Sequence, residues 1–189
     1  MKQIEIKNLR FGYNENLILK DINLTLKKGE ILGIGGLTDC GMHQLGKIAF
    51  GRIRPHTGKV TVNGKVDVQN TYTAIKHKVG YVSKNRDTEA LLASGSIKDN
   101  VVLPSLDMLK KVFFITGKSE KKLAGKWCSA LGIKMRDMNQ SCNELSGGNK
   151  QKVVLAKWLG NESEILVLDC PTRGIDIGVK EAIYRIDEP

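Results

Sequence analysis

At 189 residues the chain has room for one domain, divided at most into lobes, and it carries a formal charge of +10 from 30 Lys and Arg against 20 Asp and Glu. A hydrophobic fraction of 41% with a charged fraction of 26% excludes a disordered chain, and no stretch approaches the roughly 20 apolar residues of a membrane-spanning helix. The lysines are scattered and only 5% of residues are aromatic, a poor basis for stacking on bases, so the charge reads as solvated surface and no nucleic-acid partner is expected.

The N-terminal third reads as strands. Ile4 and Ile6 alternate with charged residues, unlike a signal peptide, and Ile22, Leu24 and Leu26 alternate with polar residues before the turn at Lys27-Lys28-Gly29. Ile31-Leu32-Gly33-Ile34 is a short apolar run ending in Gly35-Gly36, as expected of a buried strand entering a tight loop. Leu45, Ile48 and Ala49 then stand at helical spacing. Val60 and Val62 face Val66 and Val68 across Asn63-Gly64, a hairpin signal. From 96 to 133 the pattern is helical, with Leu123, Trp127 and Leu131 on one face and Lys121, Lys122 and Lys126 largely turned away. Residues 150–159 are again helical, and Ile165-Leu166-Val167-Leu168 is an apolar strand closed by Asp169. Cys40, Cys128, Cys142 and Cys170 form no CxxC pair and no zinc spacing, so they are expected to be reduced thiols.

Two segments carry chemistry. In Leu145-Ser146-Gly147-Gly148-Asn149-Lys150-Gln151-Lys152, a serine and two glycines open a helix. Backbone N–H groups, a hydroxyl and the positive end of the helix dipole then converge where a phosphate from outside could dock. Alone, the same residues are equally a serine-capped helix start. The second segment is the strand ending at Asp169, followed by Cys170-Pro171-Thr172-Arg173-Gly174-Ile175-Asp176. P-loop ATPases hold Mg²⁺, usually through water, by an aspartate so placed.

Together these segments resemble the signature motif and the Walker B strand with its D-loop in ABC ATPases. The wording is similar to the C-terminal half of the ATP-binding subunits of ribose- and galactoside-type sugar importers. The resemblance runs along nearly the whole chain. It implies a P-loop NTPase α/β core with an N-terminal antiparallel β part and an inserted helical subdomain, over 1–95, 96–140 and 141–189. It further implies ATP and Mg²⁺ as cofactors. The implied partners are a second nucleotide-binding half and membrane permease subunits, with a sugar-binding protein acting indirectly. The implied location is the cytoplasmic face of the cell membrane. By the same resemblance Tyr13 stacks on adenine, Lys84 stands at the Q-loop position, Asp169 holds Mg²⁺ and Asp176 couples the two sites.

The phosphate loop departs from the family. Its pattern G-x-x-x-x-G-K-[ST] aligns with Gly36-Leu37-Thr38-Asp39-Cys40-Gly41-Met42-His43, and only Gly36 and Gly41 match. Met42 replaces the phosphate-binding cation and His43 the Mg²⁺-binding hydroxyl, while Asp39 adds a carboxylate. Lys47 lies more than a helical turn too far on to substitute. Cys170 occupies the position of the general base. The family also places a strand bearing a switch histidine after Walker B, and the sequence reaches Pro189 before one; a fragment or truncated frame lacking the last core strands is the expectation. The leading expectation is therefore a degenerate half that lends Leu145, Ser146, Gly147, Gly148 and Asn149 to its partner's ATP. The alternatives are an active ATPase with atypical ligands and a soluble ABC-type protein acting on nucleic acid.

Overall fold

The structure is a computed structural model that describes residues 3–14, 16–110 and 114–172. Its contacts divide the chain into two units: residues 1–81 with Glu164–Val167, and Val82–Ser163 with the chain from Leu168 onward.

The first unit is built on a four-stranded antiparallel sheet in the order β2-β1-β3-β4. The strands are β1 (Gln3–Tyr13), β2 (Asn16–Lys27), β3 (Thr57–Val62) and β4 (Val66–Asp67). The alternation read from the sequence does what it should: Ile4 and Ile6 are buried and pair with Val62 and Val60, while Ile22, Leu24 and Leu26 are half-buried on β2. The β3–β4 hairpin turns at Asn63 and Gly64, both in the left-handed region that this dipeptide tolerates. Helix α1 (Met42–Ala49) buries Leu45, Ile48 and Ala49, and α2 (Thr71–Lys76) is capped by the Asn70 side chain, which accepts from the Thr73 N–H. Strands β5 (Val79–Val82) and β6 (Ile165–Leu168) form a second, two-stranded sheet. Helix α1 packs on that sheet at Gly46, where a Cβ would stand at ordinary contact distance, 3.4 Å from Val167 and 3.5 Å from Tyr81.

One expected element is absent. Ile31-Leu32-Gly33-Ile34 is not a strand, no strand of either sheet pairs with it, and Ile31 is 77% exposed. An apolar run becomes a strand only when a neighbour completes its ladder, and none of the described strands does so here.

The second unit is helical: α3 (Ile97–Val102), α4 (Leu106–Leu109), α5 (Gly117–Ala130) and α6 (Gly147–Gly160), with a π turn at Arg86–Ala90 and 3₁₀ turns at Leu103–Ser105 and Cys142–Glu144. The buried stripe of α5 is Ala124 and Cys128, with Leu123, Trp127 and Leu131 half-buried beside it, so the helix is rotated by about one residue from the sequence expectation. Lys121, Lys122 and Lys126 are exposed as expected. Helix α6 is buried nearly all round through Val153, Val154, Leu155, Ala156 and Trp158, as befits a helix enclosed by its neighbours. At Gly160 it packs on Trp127 and Val101, a Cβ there standing at ordinary contact distances of 3.5 Å from the ring and 3.7 Å from the Val101 carbonyl. No helix among the described residues is long and apolar enough to cross a membrane.

Candidate functional site

In the first unit the loop from Gly36 to Gly41 leads into α1. Gly41 caps the helix at φ 92°, ψ 4°, a conformation that glycine adopts without strain. A Cβ there would lie 2.6 Å from Ile18 and 2.7 Å from Leu19, so the loop is seated on β2 as well as turned by its glycine. The first turn of α1 has no side-chain cap and no acidic residue, and Met42 and His43 are half-buried in it. The rest of the loop is exposed: Leu37 at 86%, with Asp39 in the left-handed region at φ 64°. The Cys40 sulfur packs against Gly36, standing 2.3 Å from where a Cβ would be, so a side chain crosses the loop at its first glycine. Tyr13, at the end of β1 and 54% exposed, meets Phe11 edge-on at 5.3 Å. Its hydroxyl accepts from the Gln44 amide of α1 at 3.4 Å, which brings this aromatic beside the helix that follows the loop.

In the second unit, Ser146 caps α6 with an extended backbone. Its Oγ accepts from the Asn149 N–H at 3.5 Å and from Asn149 Nδ2 at 3.1 Å. Both partners are N–H donors, so the hydroxyl's own hydrogen is used in neither contact. Asn149 is fixed from the other side, its Oδ1 accepting from the Lys134 N–H at 2.9 Å. Leu145 is buried and anchors the approach to the helix, while Gly147 and Gly148 form its first turn with no side chain to cover their N–H groups. Lys84 is half-buried just ahead of the π turn. Asp169 is buried, and its backbone N–H donates to the Val82 carbonyl at 2.8 Å. Cys170 is exposed and held at φ 50°, an uncommon conformation for a residue with a Cβ. Asp176 lies outside the described residues.

A model of the ABC transporter family matches residues 19–173, from within β2 through β6 and the residues after it. The chain belongs to the ABC transporter family. Proteins of this family bind ATP with Mg²⁺. The ABC fold expected from the sequence is the one observed. The dimeric ATP-binding cassette MJ0796, in a post-hydrolysis state bound to ADP and Pi, superposes with a TM-score of 0.82 at 25% identity, over 97% of this chain and 80% of that one. A ribose import ATP-binding protein of Lacticaseibacillus paracasei is 39% identical over 93% of the chain, and that of Halalkalibacterium halodurans is 39% identical over 97%. A xylose import ATP-binding protein of Thermoanaerobacter pseudethanolicus is 38% identical over 96%. The ABC cassette described here spans 35%, 36% and 37% of the length of these three relatives, respectively.

Sequence reasoning missed a polar network in the second unit. Asn100, fully buried, accepts from the Leu92 N–H at 2.8 Å and donates to the carbonyls of Leu92 and Ser96 and to the Cys142 sulfur. Lys157 is buried on α6 and donates to the Ala90 carbonyl. Burial lowers its pKa to about 8, against a smaller opposing pull from Cys142. Burial likewise pushes the thiols of Cys128 and Cys142 up to about 11, with nearby Lys157 and Lys150 acting the other way on Cys142. A signal for Lys157 was present: it sits inside Val153-Val154-Leu155-Ala156-Lys157-Trp158-Leu159, a run with no outward face to spare.

Proposed function

We propose that this chain is a nucleotide-binding component of a sugar-importing ABC transporter, and that it lends its signature motif to the ATP site of a second nucleotide-binding half while its own phosphate loop is degenerate. The sugar-import assignment draws on relatives named for ribose and xylose import at 38–39% identity over more than nine-tenths of the chain. The observation that carries the signature reading is the Ser146 cap. Its oxygen accepts from two N–H donors, which leaves the O–H available to donate beside the first-turn amides of α6.

These groups fit the γ-phosphate of a nucleotide presented from outside: a hydroxyl donor, backbone N–H groups and the helix dipole, all of the sign an anion needs. They bind and orient, and no proton transfer is required of them. The chain's own loop does not fit Mg-nucleotide. It offers a thioether at Met42 where a cation is wanted, a carboxylate at Asp39, and a thiol against Gly36. With Cys170 in place of a carboxylate, no general base stands after Asp169. No catalytic step is therefore assigned to this chain's own site. On this reading the chain works at the cytoplasmic face of the membrane, bound to permease subunits that a sugar-binding protein supplies.

The test is the ATPase rate of a complex reconstituted with a second nucleotide-binding half. Ser146→Arg, which fills the docking position with a long side chain, should lower the rate by about a hundredfold or more, the scale of losing a charge-stabilising donor. An unchanged rate would end the signature reading.

A further inference from the structure

Lysines that look scattered along the sequence gather on one helix of the second unit. Lys118, Lys121, Lys122 and Lys126 are all exposed on α5, and their spacings of three and four residues place them on one face. The helix does not balance them itself. Its single carboxylate, Glu120, is taken by Lys98 of α3, whose Nζ donates to it at 3.0 Å. None of the four lysines forms an ion pair among the described residues, and Lys126 Nζ stands instead 4.8 Å from the centroid of the Trp127 ring. Lys118 also lies in the first turn, where the helix dipole disfavours a cation. Like charges one turn apart repel, so this face weakens the helix in water, and an anionic surface laid against it would relieve the repulsion.

At the same end of the helix Phe114 and Ile115 are exposed, at 77% and 36%. They run directly into Thr116, whose Oγ1 caps α5 by accepting from the Ser119 N–H at 3.2 Å, so the apolar pair is tied to the start of the lysine-bearing helix. A phosphate backbone attracts lysines but offers nothing to an isoleucine. A bilayer supplies both kinds of partner: charged headgroups for the ammonium groups and, beneath them, a boundary that takes apolar side chains.

We propose that α5, with Phe114 and Ile115 ahead of it, is a docking face for an anionic phospholipid surface. The four lysines meet the headgroups while Phe114 and Ile115 enter the headgroup–acyl boundary. The second unit makes this contact by itself and needs neither nucleotide nor a permease subunit for it. Each lysine near such a surface strengthens binding by about fivefold, so the four together form a reversible, salt-sensitive attachment.

Co-sedimentation of the full chain with vesicles tests it, using phosphatidylcholine alone and phosphatidylcholine with about 30% phosphatidylglycerol. The chain should bind the second and not the first, and added salt should weaken the binding. Lys118→Gln, Lys121→Gln, Lys122→Gln and Lys126→Gln together should lower the affinity by about a hundredfold or more, with the parent's helical circular dichroism retained. Phe114→Ser should lower it by about tenfold and leave its salt dependence unchanged. The control removes the same charge from exposed positions of the first unit, by Lys20→Gln, Lys59→Gln, Lys65→Gln and Lys76→Gln together. It should keep the parent's affinity to within about threefold, because screened charges away from the bilayer contribute little. No binding to the phosphatidylglycerol vesicles, or a loss as large in the control as in the α5 variant, would overturn the proposal. So would a single-stranded RNA bound more tightly than the vesicles through the same four lysines, which would make the face a nucleic-acid site. Either failure leaves the signature reading intact, since neither the start of α6 nor ATP enters the measurement.

Discussion

Residues 31–41 and residues 141–160 hold the two stretches in which this chain was expected to meet nucleotide, and they are built on opposite terms. The first is open: Ile31 and Leu37 are exposed at 77% and 86%, and only Gly41 is seated against β2. The second is bound at every turn, from Ser141 on Ala93 and Asn143 on the same carbonyl to Ser146 on Asn149 and Lys157 on Ala90. The difference is one of where partners come from. A helix satisfies its own backbone and needs only an apolar surround, which α3 and α5 give α6. A strand must borrow its hydrogen bonds from a neighbour. The stretch that would act on a partner's ligand is therefore the one the chain secures by itself.

The comparison can be broken most severely at Asn100. Asn100→Ala strips the Leu92 N–H and carbonyl of their buried partners and should destabilise the chain by about 3 kcal/mol in urea unfolding. A loss below about 1 kcal/mol would mean that the network around α6 is ornamental.

The pH dependence is the next largest effect. The Lys157 pKa is lowered to about 8, so the unfolded chain binds more protons at this group above that pH, and its burial penalty is relieved as pH rises from about 8. Cys128 and Cys142, pushed up to about 11, act in reverse, their contribution being full below their ordinary value of 9.0 and lost as pH climbs to about 11. The Lys157 contribution should thus rise by about 1 kcal/mol between pH 8 and 9, largely offset by the two thiols, after which stability falls. Lys157→Met should remove the rise and leave a fall that is already under way between pH 8 and 9. A Lys157→Met chain whose stability follows the parent's over that interval would contradict the buried ammonium.

The smallest effect belongs to the open stretch. Ile34→Thr should change stability by less than about 0.5 kcal/mol, as for an exposed residue without partners in a packed core, whereas a strand buried in a sheet would lose several times that.

Much of this architecture was legible in the sequence, and the failures have a common cause. Alternation at Ile4 and Ile6, the Asn63-Gly64 turn and the apolar run of α6 are local signals, and each element formed where they stood. Ser146 was readable as a helix cap from the same kind of signal, and the structure places it there. Ile31-Leu32-Gly33-Ile34 was misread because its fate depends on a neighbour, which no local pattern encodes. Lys150 and Asp87 are 63 positions apart, and Asn100 and Cys142 are 42 apart, so their pairing emerges only when the helices pack. The one-residue rotation of α5 has the same origin: Leu123 and Trp127 are larger, but Ala124 and Cys128 are the side chains small enough for the closest approach.

The central proposal is that the chain's signature motif serves a partner's nucleotide while its own phosphate loop does not bind one. Calorimetric titration of the purified chain with Mg-ATP tests the second half of it directly, alongside a variant carrying Asp39→Gly, Met42→Lys and His43→Thr together. The account predicts no binding by the parent tighter than about 1 mM, with micromolar binding recovered in the variant. Micromolar binding by the parent, unaltered in the variant, would contradict it.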